Sequence, residues 1–166
     1  MTNTASTGSS AIIAPAPENF PDDMKTYAHW VVGKVVPQPN GRLDKIPYTP
    51  ITSKRASHSD SRTWTTFDTA WAAFELGEWD CIGFIFSSGD PFVGVDFDRC
   101  RNPETGGIVP EVQVALDSLG GYAEVSLSGT GVHVIVRSKK IEKPRKGGGV
   151  EVYDCKRFFV MTGSAL

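Results

Sequence analysis

Asp96 and Asp98 stand two residues apart in the stretch Val93-Gly94-Val95-Asp96-Phe97-Asp98. In a strand, successive side chains take opposite faces. Val93, Val95 and Phe97 then turn into a core, and both carboxylates share the other face. Like charges placed in this way repel each other unless a cation lies between them. Mg²⁺ and Mn²⁺ are hard ions that prefer such oxygen ligands, and Gly94 is expected to keep the same face clear beside them. The plainer alternative is an exposed acidic strand end.

A second group is Ser128-Gly129-Thr130-Gly131-Val132-His133, running into Val134-Ile135-Val136. Two glycines let a turn approach a ligand closely and offer backbone N–H groups to phosphate. Val132, Val134 and Val136 share one face of the next strand, so His133, Ile135 and Arg137 share the other, non-core face. A histidine there can hydrogen-bond a phosphate oxygen; the alternative is a hairpin turn with an incidental histidine. In Val150-Glu151-Val152-Tyr153 the two valines again share a face. Glu151 stands opposite and can complete a carboxylate trio with Asp96 and Asp98, although alone it reads as a surface acid. Arg157 opens the segment 157–163 and can meet a phosphate. Lys139, Lys140, Lys143, Arg145 and Lys146 form the one dense basic stretch. It is either a solvated loop or a mobile cationic strap tracking a template backbone.

These side chains need a scaffold of strands. Strands are predicted over 27–36, 81–86, 92–97, 122–127, 132–137, 150–153 and 157–162, with the last two as a closing hairpin. Residues 45–48 make a short extended piece, and 50–63 and 139–149 are loops. A helix is predicted over 65–76, because Phe67, Trp71 and Phe74 fall on one face. Thr65 and Asp68 resemble a capping box and Gly77 ends the helix. A second helix over 110–119 carries Val112, Leu116 and Leu119. Strands joined by short turns, with few helices, predict an α+β domain with a largely antiparallel sheet.

The 166 residues suffice for one domain with its own core. No apolar run approaches the roughly 18 residues that span a membrane. Residues 1–22, rich in Ser, Thr, Ala and Pro, lack the pattern of a signal peptide and are expected to be a disordered leader before a domain over 23–166. Three widely spaced cysteines, Cys81, Cys100 and Cys155, make neither a disulfide framework nor a zinc pattern, which suits a reducing cytoplasm. A net charge of −2 argues against a protein that coats duplex DNA, yet leaves room for a local basic groove.

In this order the three segments resemble the archaeo-eukaryotic primase superfamily, whose hallmarks are a DxD strand, an sGxGxH turn and strand, and an hD/E strand. The similarity is closer to the primase–polymerases of phages and plasmids, including the type found in a deep-sea vent phage. That branch also carries text resembling Lys45-Ile46-Pro47-Tyr48, Arg55-Ala56-Ser57 and Thr63-Trp64-Thr65-Thr66-Phe67, with an ending like Arg157 to Gly163. The resemblance covers roughly 25–163 and implies an RRM-like catalytic core. It implies two divalent ions, Mg²⁺ or Mn²⁺, on Asp96, Asp98 and Glu151, and an incoming triphosphate held by His133. Ser128 and Arg157 map to the phosphate side, beside Gly129 and Gly131. Lys45, Lys54 and Arg55 are further contacts to nucleotide or template. The partners implied are a single-stranded DNA template and primer, dNTP or NTP, and a helicase domain or subunit, in a bacterial, archaeal or phage-infected cell. Many relatives continue beyond the third motif, so an excised core, a fragment or a minimal version is expected.

The expected activity is two-metal nucleotidyl transfer by a DNA primase or polymerase. One rival is a non-catalytic or degenerate nucleic-acid-binding module of a replication protein. Another is a rolling-circle initiator nuclease, but His29, His58 and His133 include no H-x-H pair. A polymerase-β-like enzyme would place a glycine–serine helix start before its DxD, and 86–96 has none.

Overall fold

Strand β3 (Cys81–Phe86) is buried at every position, which calls for cover on both of its faces. It lies between β1 (Trp30–Pro37) and β9 (Arg157–Val160), with β2 (Leu43–Tyr48) at the edge, in an antiparallel sheet of order β2-β1-β3-β9. One cluster joins Trp30, Val32, Phe84, Phe86 and Phe159 of this sheet to Ala70, Phe92, Ile135 and Tyr153. The alternate residues Val31, Cys81, Ile85, Phe158 and Val160 pack with Ala56, Trp64 and Leu127. The computed structural model describes residues 12–141, 143 and 145–166.

The second sheet is also antiparallel. It comprises β4 (Phe92–Phe97), β5 (Tyr122–Val125), β6 (Val132–Arg137), β7 (Arg145–Gly147) and β8 (Val150–Tyr153), in the order β5-β6-β4-β8-β7. Val95, Phe97, Val132 and Val134 form a core with Val112, Ala115 and Leu116 of helix α3 (Pro110–Leu119). The opposite face turns towards the first sheet. The protein is therefore α+β with antiparallel strands, in two sheets rather than one.

Helix α2 (Phe67–Glu75) begins at Thr66, whose side chain accepts from the Thr69 amide, one residue later than the capping box expected at Thr65. Thr65 is held instead by backbone pairing with Trp30. Of the leader expected over 1–22, residues 1–11 lie outside the described residues, and the stretch 12–22 anchors to the domain at a few points. Phe20 is buried and stacks on Trp30 at 5.6 Å, the Ala16 amide donates to the Thr162 carbonyl, and a short helix α1 (Asp22–Lys25) follows.

The closing hairpin is corrected: β8 pairs with β4 and β7, while β9 pairs with β3. Phe158 and Phe159 point to opposite faces and both are buried, so β9 needs a sheet covered on both sides. The chain crosses between sheets at Lys156, which adopts φ +52° and donates its amide to the Phe86 carbonyl. Beyond β9 the tail returns to the second sheet, where Val125 donates to the Ser164 carbonyl and Leu166 to the Ala123 carbonyl. The basic loop contains the short edge strand β7.

Candidate active site

Three of the four strands that carry the motifs are neighbours in the second sheet. Their register draws one row across it: Glu124 faces His133, His133 faces Asp96, Asp96 faces Glu151, and Glu151 faces Lys146. Directly opposed residues share a sheet face, with Cβ atoms about 4.5–5.5 Å apart. Asp98 extends the row by one pleat. Its amide donates to the Gly149 carbonyl, so the position across from it carries no side chain.

This face is covered by the first sheet, not open. A Cβ on Gly94 would come within 2.8 Å of the Phe159 ring and 2.9 Å of the Phe86 ring. Gly94 thus makes room for aromatic packing, where the sequence suggested space for ions. His133 is likewise on a covered face, against the expectation of a non-core one. Its side chain is only 3% exposed and its ring lies 4.7 Å from that of Phe159. Nδ1 stands 3.4 Å from Glu124 Oε1, and Nε2 stands 3.7 Å from Asp96 Oδ1. The site is the rim of the inter-sheet core, where Asp98 reaches solvent.

The carboxylates differ in their surroundings. Partial burial, then repulsion from Asp96 and Glu151, pushes the Asp98 carboxyl up, partly offset by Lys45 and Arg99. Lys45 of β2 is therefore within electrostatic reach of the acids from the other sheet. Burial also acts to raise Glu151, but its hydrogen bonds to the Tyr153 hydroxyl and Lys146, together with the charge of Arg157, hold it below the usual carboxylate range. Lys146 approaches Oε1 at 3.0 Å and Arg157 approaches Oε2 at 3.4 Å. Both cations lie over the Tyr153 ring, at 5.2 and 4.4 Å from its centroid. Glu151 is thus alongside Asp96 by register, with its oxygens turned to cations. Among the described residues no three His, Cys, Asp or Glu side chains stand arranged to hold one metal ion.

The glycine turn closes on itself. Gly129 donates to the Ser126 carbonyl, Gly131 to Ser126 Oγ at 3.1 Å, and Thr130 to Ser128 Oγ at 3.4 Å. The expectation of amides offered to phosphate is corrected, because a tight turn uses them internally. Gly129 adopts φ +77°, and a Cβ on Gly131 would come within 2.7 Å of the Phe97 carbonyl oxygen, so both glycines serve the turn and its packing. Ser128 remains exposed at the turn's tip. Arg101 braces the turn, donating from its side chain to the Gly129 carbonyl at 2.9 Å.

The basic strap is divided. Lys140 is corrected as a free template contact: its ammonium donates to Asp90 at 2.9 Å and to the carbonyls of Phe92 and Asp154. Lys146 is on Glu151. Lys139, Lys143 and Arg145 are exposed, as are Lys54 and Arg55. Arg55 makes no side-chain ion pair among the described residues.

Sequence reasoning missed three neighbours. Glu124 was legible in principle, since pairing the strands on either side of the glycine turn puts it across from His133. Tyr153 shares Glu151's face by strand alternation, but the bond its hydroxyl donates to the Glu151 carboxylate was not read from the sequence. His58, from the loop after β2, feels Arg157: burial first and that charge second push its imidazole pKa down. No local signal links residues so far apart in sequence.

No protein-family model matches the chain. A curated relative, the "DNA Primase-polymerase" of Nitratiruptor phage NrS-1, is 32% identical over 149 residues, which is 86% of this chain. The chain spans only 20% of that protein's length. Among the described residues no helix is long and apolar enough to cross a membrane. Over most of its length, this chain is a homologue of one segment of a phage DNA primase–polymerase.

Proposed function

We propose that this chain is a catalytic core for template-directed nucleotidyl transfer in DNA replication, acting as a primase or polymerase. The observation that carries the reading is the row His133–Asp96–Glu151 on three adjacent strands, with Asp98 one pleat away. The similarity to a phage DNA primase–polymerase supports it.

Asp96, Asp98 and Glu151 fit a pair of divalent ions, Mg²⁺ or Mn²⁺, by donor chemistry: hard oxygens, with Asp98 raised first by partial burial and then by its neighbouring carboxylates. When bound, such ions activate the primer 3′-hydroxyl and neutralise charge on the leaving pyrophosphate. Glu151 would exchange Lys146 and Arg157 for that role, freeing both cations for phosphate. Lys45, Arg157 and the exposed Ser128 would hold the dNTP or NTP tail, with Arg55 further out. His133 would donate from Nε2 to a phosphate oxygen seated beside Asp96. Lys139, Lys143 and Arg145 would track the backbone of a single-stranded template. The work of these side chains is positioning and electrostatic stabilisation.

A second reading, a non-catalytic nucleic-acid-binding module, draws on the hold that Lys146, Tyr153 and Arg157 have on Glu151. One assay separates the two: incorporation of labelled dNTPs and NTPs on a single-stranded template, with and without primer, in Mg²⁺ and Mn²⁺. The wild-type chain should incorporate, and the Asp96→Ala/Asp98→Ala variant should fall by about 10³-fold or more while keeping its circular dichroism. Extension by the double variant at the wild-type rate would end the catalytic reading.

A further inference from the structure

Glu124 has no part in the chemistry above, yet it is completely buried, and a buried carboxylate needs a full set of partners. It has them. Oε2 accepts from the Tyr122 hydroxyl at 2.7 Å, the Gly163 amide at 2.8 Å and the Thr162 amide at 3.0 Å. Oε1 also meets the Thr162 amide, at 3.1 Å, and faces His133 Nδ1 at 3.4 Å. The two amides belong to the tail just past β9, which Gly163 allows by adopting φ +67° against Ala16. Two segments that sequence treats as separate, the glycine-turn hairpin and the Thr162-Gly163 ending, therefore meet at one carboxylate.

We infer that Glu124 is a positioning residue: its carboxylate, clamped by the Thr162 and Gly163 amides, holds the His133 ring by Nδ1 and so directs Nε2 to the Asp96 side of the site, where a nucleotide's phosphate would arrive. An acceptor at Nδ1 keeps a proton on that nitrogen and fixes the ring's rotation. Phe159 packs against the His133 ring, its centroid 4.7 Å away and its plane tilted by 32°. The inference rests on the proposed role of His133 towards the nucleotide, but the orientation itself is measurable without any activity.

Glu124→Gln is the informative variant. The Tyr122 hydroxyl and the two amides claim the carboxamide oxygen at the Oε2 position, which leaves the NH₂ group facing His133. Nδ1 must then accept instead of donate. Long-range ¹H–¹⁵N spectra of the His133 ring should show Nδ1 protonated in the wild type and bare in Glu124→Gln. A bare Nδ1 in the wild-type spectrum overturns the proposal, whatever the fate of the variant. In primer extension, Glu124→Gln should raise the KM for dNTP about tenfold with kcat changed less than threefold, and should add nothing to His133→Ala. An unchanged KM, or effects that multiply in the double variant, overturns it as well. If the wild type incorporates no nucleotide although Nδ1 is protonated, the catalytic reading falls and the grip of Glu124 on the ring stands.

Discussion

The acids of this site are set apart by what lies within a few ångströms of each. Glu151 is surrounded by two cations and a phenol, and Asp98 by other carboxylates. The sign of the Asp98 effect can be worked out. Its folded-state pKa is raised, so ionisation costs the fold some stability above that pKa and nothing at pH values where the carboxyl is protonated in both states. Asp98→Asn should therefore raise the thermal midpoint of the metal-free protein at pH 7, and the gain should vanish near pH 3. Because Asp98 is largely solvated, the gain is a few tenths of a kcal/mol at most. A midpoint that falls at pH 7 would show that Asp98 is not under repulsion. The type and spacing of Asp96, Asp98 and Glu151 were legible in sequence because strand alternation is a local rule. The hold of Lys146 and Arg157 on Glu151 was not, since β7 and β9 reach it from different sheets.

At the level of elements, β4 faces two cores. Its odd-numbered residues pack under α3, and Gly94 opens its other face to Phe159 and Phe86. Rings backed by a second sheet cannot retreat far, and overpacking of this kind typically costs about 1–3 kcal/mol. Gly94→Ala should lower unfolding free energy by that amount in urea titrations, and should loosen the His133–Phe159 contact near the site. A neutral substitution would mean that the two sheets slide freely at this point. Sequence alternation found every long strand, yet it placed Gly94 and His133 on an open face. An apolar–polar alternation identifies one buried face and cannot tell whether another sheet covers the polar one.

Across the whole molecule, Asp90 and Lys140 tie the turn before β4 to the start of the basic strap and the end of β8. Asp90 accepts from the amides of Ser87 and Phe92 and from Lys140, and lies 3.3 Å from His29. Burial acts to raise its carboxyl, but the nearby His29 ring, with hydrogen bonds from Ser87, Lys140 and Phe92, holds it below the usual range. Such a group stabilises the fold above its unfolded pKa of about 3.9, and the contribution is lost as pH falls through the lower folded value. Asp90→Ala should cost about 2–4 kcal/mol at pH 7, because it leaves Lys140 without its counterion and the Ser87 and Phe92 amides without an acceptor. The difference from wild type should shrink below about pH 4. A deficit independent of pH would assign it to packing instead of charge.

By itself the sequence determined the α+β class, the antiparallel strands β3 to β6, helices α2 and α3, and the acids and histidine that share strand faces. Each of these follows from periodicity, turn residues and side-chain type within a dozen positions. Only the tertiary structure decided that β8 and β9 part into different sheets and that the site lies on a covered face. It also decided that Lys140 is tied down and that Glu124 joins the glycine-turn hairpin to Thr162 and Gly163. Those outcomes depend on which distant segments bury one another, and burial between sheets leaves no local period in the chain.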